Sequence, residues 1–373
     1  SNASQIMGRL NANGQVFLLN PNGVVFSKTA QVNVGGLVAS TLNLSNTDIQ
    51  NGKFTLKGDA NSTASIENQG SIQTLKGGTV ALIAPNVRNT GSITTPDGTT
   101  HLTSASQVTL ALQDGSLTQY QVEQGVLKGL VDNGGAIIAE NGAVYLTAKS
   151  KDSLSKAVVN HSGVIEANRV SQNAKGEIIL LGDMQTGETH VSGTLKAEGK
   201  NGVDGGFIET SAAHVEIAAD TKVSTASDTA KSGLWLIDPV DITIDSAKAT
   251  AIQTALNSGD VTVTTANTAT NPWGANGIDT VKGNINVNST ISWNSNKALT
   301  LSADNDININ ADITATSGKL NLQYGQTTTN SNADYYLNGA AINLSKGNTF
   351  STRKANVETD YLVVTDFADL LTN

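Results

Sequence analysis

Along most of this chain, apolar and polar positions alternate in runs of four to six residues, and Gly or Asn closes nearly every run. Thr79–Ala84 (TVALIA), Ala143–Ala148 (AVYLTA) and Glu177–Leu181 (EIILL) are typical. Two-residue alternation marks a strand with one buried face, because successive side chains of an extended backbone point to opposite sides. The 3.6-residue apolar period of a helix is missing from these stretches, which argues against a helix-containing solenoid.

A phrase recurs between the runs: apolar, polar, Asn, any residue, Gly, any residue, Ile. It reads Ile66-Glu-Asn68-Gln-Gly70-Ser-Ile72, Val87-Arg-Asn89-Thr-Gly91-Ser-Ile93 and Val131-Asp-Asn133-Gly-Gly135-Ala-Ile137. A looser copy is Val159-Asn160-His-Ser-Gly163-Val-Ile165, and a degenerate one is Val191-Ser-Gly193-Thr-Leu195. Gly70 and Gly91 stand 21 residues apart, and Gly91 and Gly135 stand 44 apart, or two turns of 22. The next gaps, 28 and 30, read as one turn plus an insertion. Strands this short at this period close a core only by stacking, each pairing in parallel with the coil above and below. The expected fold is therefore all-β, a right-handed parallel β-helix with extra-helical loops and one short helix. Asn-Gly pairs, among them Asn13-Gly14, Asn22-Gly23, Asn51-Gly52, Asn141-Gly142 and Asn201-Gly202, also suit the hairpins of a β-sandwich. The recurrence of Asn two residues before Gly favours the β-helix, because stacked Asn amides hydrogen-bond along its axis. At about 22 residues per coil and about 4.8 Å per strand, the chain would make about 15 coils in a rod of about 70–80 Å.

The one convincing helix is Ser246–Asn257, with Ser246 as cap, a stripe of Ala247, Ala251, Ile252, Ala255 and Leu256, and Gly259 at its end. It is expected on the outside or across a corner of the rod. Composition fits thin stacked strands: 36 glycines, only 5 prolines and 4% aromatic residues. There is no cysteine, so neither disulfides nor thiolate metal sites arise. A net charge of −9, with 15% charged residues, argues against a nucleic-acid partner or a polybasic membrane patch. Ser1-Asn2-Ala3 reads as a tag remnant, with native sequence expected from Ser4.

Two motifs carry a family resemblance. Gly14-Gln-Val-Phe-Leu-Leu-Asn20-Pro21-Asn22-Gly23-Val-Val-Phe26, followed by Gln31-Val-Asn33-Val-Gly35-Gly36-Leu-Val-Ala39, resembles the haemagglutination activity domain of two-partner secretion exoproteins. Gly233-Leu-Trp235-Leu-Ile-Asp238-Pro239-Val-Asp241-Ile-Thr-Ile244 resembles a signature found further along adhesins of the filamentous haemagglutinin and high-molecular-weight type. The resemblance implies a division into 4–170, the C-terminal part of the secretion domain, 171–232, a continuing shaft, and 233–373, a second β-helical segment. It implies that the earliest part of the family's domain is missing here. It also implies recognition of Asn20, Pro21, Asn22, Gly23, Asn33, Gly35 and Gly36 by an outer-membrane transporter with periplasmic POTRA domains. Secretion and display at the cell surface follow from the same resemblance. The physical reading of the turn is independent: Pro21 presets φ, and Asn22 or Gly23 tolerates the left-handed region. Trp235 would seal the interior at a change in coil shape, or face outward to stack on a glycan.

An adhesin is the first functional expectation, a monomeric rod that meets a host-cell glycan or protein receptor through loops. Its first candidate is the Thr265–Val281 insertion with Pro272 and Trp273. The others are the insertions at Gln113–Gly129, Asn168–Gly176, Met184–Thr189 and Gln326–Tyr336. The rod of a contact-dependent toxin-delivery protein and a haemophore-type binder of a host haem carrier are the alternatives. An enzyme is not expected, nor is a cofactor. His101, His161, His190 and His214 share no evident face, and Asp304, Asp306 and Asp312 lack the calcium-repeat context, reading as turn carboxylates.

Overall fold

A computed structural model describes residues 2–48, 50, 52–113, 116–266, 283–326 and 332–372. The chain folds as a right-handed parallel β-helix with three walls. Two are eight-stranded sheets, running from Ser4–Ile6 to His214–Ile217 and from Arg9–Asn11 to Lys222–Ser224. The third is a thirteen-stranded sheet that starts at Gln15–Leu19 and continues through the whole molecule. All its pairings are parallel except the last, between Gly347–Lys354 and Val357–Val363. Setting that return strand aside leaves twelve coils among the described residues rather than the fifteen expected, because insertions absorb the remaining sequence.

The core is a set of vertical columns. Val32, Ile72, Ile93, Ile137, Ile165, Leu195 and Val223 lie one above another in successive coils, each buried. In the long wall the inward column includes Leu37, Val80, Val144, Ile178, Ile208, Trp235 and Val261. Burying each such side chain contributes about 1.5–3 kcal/mol, and the parallel register repeats the apolar position from rung to rung, interrupted in the long wall by Thr100 between Val80 and Val144. The Trp235 ring is inside this column, its Nε1 donating to Thr210 Oγ1 at 3.1 Å. A glycan-stacking face is thereby ruled out for it.

The coil changes shape just after Trp235. The two shorter walls stop and restart as a four-stranded sheet beginning at Ile242–Ile244 and a three-stranded sheet beginning at Ile291–Trp293. Helix α1, Ser246–Ala255, stands between Lys222–Ser224 and Ile291–Trp293, so it replaces one strand of a wall instead of decorating the exterior. Its Ala249, Ala251, Ile252 and Ala255 are buried in the main core, as is Leu256 just beyond it. The cap is Asp245, whose carboxylate accepts from the Lys248 backbone N–H, rather than Ser246. A second helix, α2 (Phe367–Thr372), ends the described chain.

The largest departure from the sequence expectation is a four-stranded antiparallel sheet outside the rod, ordered Ser116–Gln124, Gln107–Gln113, Lys53–Lys57, Asn43–Asp48. Part of the expected loop at Gln113–Gly129 is therefore a strand. This sheet covers the outer face of the long wall through a second core of Val38, Leu56, Ile83, Val108 and Leu110. No helix among the described residues is long and apolar enough to cross a membrane.

Candidate functional site

The Asn20–Gly23 turn connects the first strand of the long wall to Val24–Phe26. The Gly23 N–H donates to the Asn20 carbonyl at 2.9 Å, closing the turn, while the Asn20 side chain accepts from the Asn22 N–H at 2.9 Å. Asn20 Nδ2 donates to Ser4 Oγ at 2.9 Å, which ties the turn to Ser4–Ile6, the strand paired with Val24–Phe26. Gly23 carries the positive φ, at +115°, and a side chain there would sit 2.9 Å from the Ser65 carbonyl oxygen. Pro21 and Asn22 project into solvent on this fixed frame.

The second motif lies elsewhere. Asn33 is exposed and donates to Asn11 Oδ1 at 3.3 Å. Gly35 forms the corner into Gly36–Ser40, where a Cβ would meet the Asn13 carbonyl oxygen at 2.4 Å. The two motifs thus occupy opposite ends of the long-wall strands, about 17 Å apart for five residues of strand. Pro272 and Trp273 fall outside the described residues.

The recurring Asn forms the expected ladder. Asn68 Nδ2 donates to Asn89 Oδ1 at 2.8 Å, and Asn89 Nδ2 donates to Asn133 Oδ1 at 2.8 Å, all fully buried. The next rung is His161, not Asn160: its Nδ1 lies 3.2 Å from Asn133 Nδ2 and its Nε2 lies 3.1 Å from the Thr194 carbonyl oxygen. Burial pushes the His161 imidazole down to about 4, so it is neutral at ordinary pH.

A cleft of about 640 Å³ opens on the outer face of the long wall, beside the antiparallel sheet. The His101 ring stacks between Tyr120 and Tyr145, with centroids 4.1 Å and 4.9 Å away. Burial, assisted by Lys175, pushes the His101 imidazole down to about 3. Further along lie Phe207, Glu209 and Asp238. Asp238 is 9% exposed, and its Oδ1 is sealed from solvent without a hydrogen-bond partner. Burial, and then the neighbouring Glu209 carboxylate, push its carboxyl up to about 8. Residue spacing gave no signal of this cleft, because its residues come from strands more than a hundred positions apart.

Comparison with known sequences matches residues 1–197 to the TPS secretion domain. The chain belongs to that family. Among curated proteins, the heme/hemopexin-binding protein of Haemophilus influenzae strain Rd is 34% identical over 190 residues, 49% of this chain and 20% of that protein. A second heme/hemopexin-binding protein from Haemophilus influenzae is 29% identical over 211 residues, covering 21% of its length. The chain thus spans about a fifth of these relatives. Among solved structures, the HMW1 secretion domain from Haemophilus influenzae matches with a TM-score of 0.52 and 21% identity, covering 95% of this chain and 86% of that one. This likeness bears on the fold. TPS secretion domains are carried by secreted exoproteins of two-partner systems, and a transporter partner comes with the family. In this TPS secretion domain the parallel pairing runs unbroken past residue 197, with Thr194–Lys196 seated on Lys222–Ser224.

Proposed function

We propose that this chain directs a larger exoprotein through an outer-membrane transporter, whose POTRA domains read the Asn20–Gly23 turn and the Asn33–Gly36 segment. The carrying observation is the TPS secretion-domain match over residues 1–197, which contains both motifs. Support comes from the turn itself, where Asn20 fixes the backbone and leaves Pro21 and Asn22 outward. The test is export of the full exoprotein, co-expressed with its transporter. Pro21→Ala combined with Asn22→Ala should lower secreted protein by about tenfold while the purified domain keeps its melting midpoint, since both side chains are exposed. Unchanged export would remove the turn from the recognition surface.

For the exported protein, our reading is a non-enzymatic adhesin displayed at the cell surface. The β-helix supplies a rigid support, and segments that leave it vary without disturbing the columns. Two of the histidines are committed to structural contacts, His161 in the ladder and His101 in the ring stack. A second reading, capture of a host haem carrier, is favoured by the two heme/hemopexin-binding relatives. Binding of the secreted full-length protein to immobilised haemopexin, measured beside adherence to cultured epithelial cells, separates the two.

A further inference from the structure

The cleft beside the antiparallel sheet plays no part in the secretion reading. One side is the strand Ser116–Gln124, which among the described residues ends its sheet and pairs on one side only, with Gln107–Gln113. Six consecutive residues of that strand, 117–122, line the cleft. A sheet edge presents unpaired backbone N–H and C=O groups, and about 20 Å of it borders this cavity. The floor is the outer face of the long wall, where Tyr145, Ile179, Glu209 and Leu236 follow one another in register. Asp238 lines the same cleft, nine-tenths buried, its Oδ1 unpartnered. A sealed carboxyl oxygen without a donor costs stability unless something supplies one. The charged lining is Glu209, Asp238 and Lys175, and the His101 ring adds no positive charge. Once Asp238 ionises, as a cation seated on it would make it do, the cleft holds two carboxylates against one ammonium, with aromatic faces against which an alkyl stem or a guanidinium stacks.

We propose that this cleft docks an extended peptide, which adds as a strand to the free edge of Ser116–Gln124 and seats one lysine or arginine side chain on Asp238 and Glu209. Backbone pairing supplies affinity along the edge, and the two carboxyl groups select the basic residue. A small amine would meet the carboxyl groups but leave the strand edge bare, and an uncharged peptide would do the reverse.

The experiment uses the whole chain and a fluorescein-labelled hexapeptide of alternating Thr and Val with one central arginine, read by fluorescence anisotropy. Two analogues carry the remaining questions: citrulline in place of arginine, and N-methylation of alternate backbone nitrogens. Each change should weaken binding by at least about tenfold, as should Asp238→Asn in the protein. Asp238→Asn replaces a carboxyl that stays protonated below about pH 8 with a neutral amide of the same shape, so its fold should survive, and circular dichroism checks this. A second variant, Glu209→Gln, should weaken the arginine peptide and leave the citrulline analogue unchanged. Equal affinity for arginine and citrulline, or undiminished binding by Asp238→Asn, overturns the carboxyl seat. Indifference to N-methylation, or benzamidine binding as tightly as the peptide, overturns the strand pairing. No binding up to about 1 mM overturns the proposal as a whole.

Discussion

Asp238 makes a quantitative test of the cleft's electrostatics in the absence of any ligand. Its carboxyl is held up to about 8 in the folded chain, against an ordinary value of 3.8. The folded protein therefore keeps a proton that the unfolded chain has released, and stability falls as pH rises between these two values. His101 and His161 act in the opposite direction: both are depressed, to about 3 and about 4, from 6.5. Their contribution is present above pH 6.5 and is lost as pH falls below it. Between pH 6.5 and 8, then, Asp238 is the larger contribution. At up to about 1.4 kcal/mol per pH unit, flattening near pH 8, it should remove about 1.5 kcal/mol across that window, offset by a few tenths of a kcal/mol from each histidine still titrating in the unfolded chain. Asp238→Asn should abolish most of the slope and be the more stable protein at pH 8. Urea titrations followed by circular dichroism and by tryptophan emission measure this, since Trp235 lies on the same strand, and coincident transitions license the comparison. Parallel slopes for the two proteins from pH 6.5 to 8 would refute the assignment of that proton to Asp238.

Three further outcomes are expected. Asn89→Ala removes an inner rung of the ladder, leaves Asn133 Oδ1 without its donor and leaves Asn68 Nδ2 only its longer bonds to the Gly70 and Ser92 carbonyls, so it should cost about 2–4 kcal/mol in urea melts; a loss below about 0.5 kcal/mol would mean the ladder is replaceable. His161→Asn extends the ladder with an amide, and should reduce the loss of stability between pH 6.5 and 4, read from melting midpoints across that range. Gly35→Ala places a methyl group 2.4 Å from the Asn13 carbonyl oxygen and should destabilise by about 1–3 kcal/mol, whereas Gly14→Ala, with nothing within 4 Å, should be near neutral; equal melting midpoints for the two variants would contradict that close approach.

The sequence by itself determined the coil. Short alternating runs at a period near 22 leave no way to bury their apolar faces except by stacking, and the Asn-x-Gly phrase marked the corner where amides meet. Even the looser copy at Val159–Ile165 held its place, with His161 filling the Asn position through its ring nitrogens. The helix at 246–255 was legible from its apolar stripe, and the Asn20–Gly23 turn from its own chemistry. Tertiary structure decided the rest. Alternation is the same for a strand that continues a coil and for one that folds back outside it, so the antiparallel sheet from Asn43–Lys57 and Gln107–Gln124 left no separate mark. Whether α1 lay on the wall or within it depended on the two walls breaking at the same coil. The cleft is the furthest from the sequence. In a parallel stack each coil contributes one outward side chain per column, so His101, Tyr145, Glu209 and Asp238 gather on one face across 137 residues of chain. Only the register, set by the buried columns beneath them, brings them together.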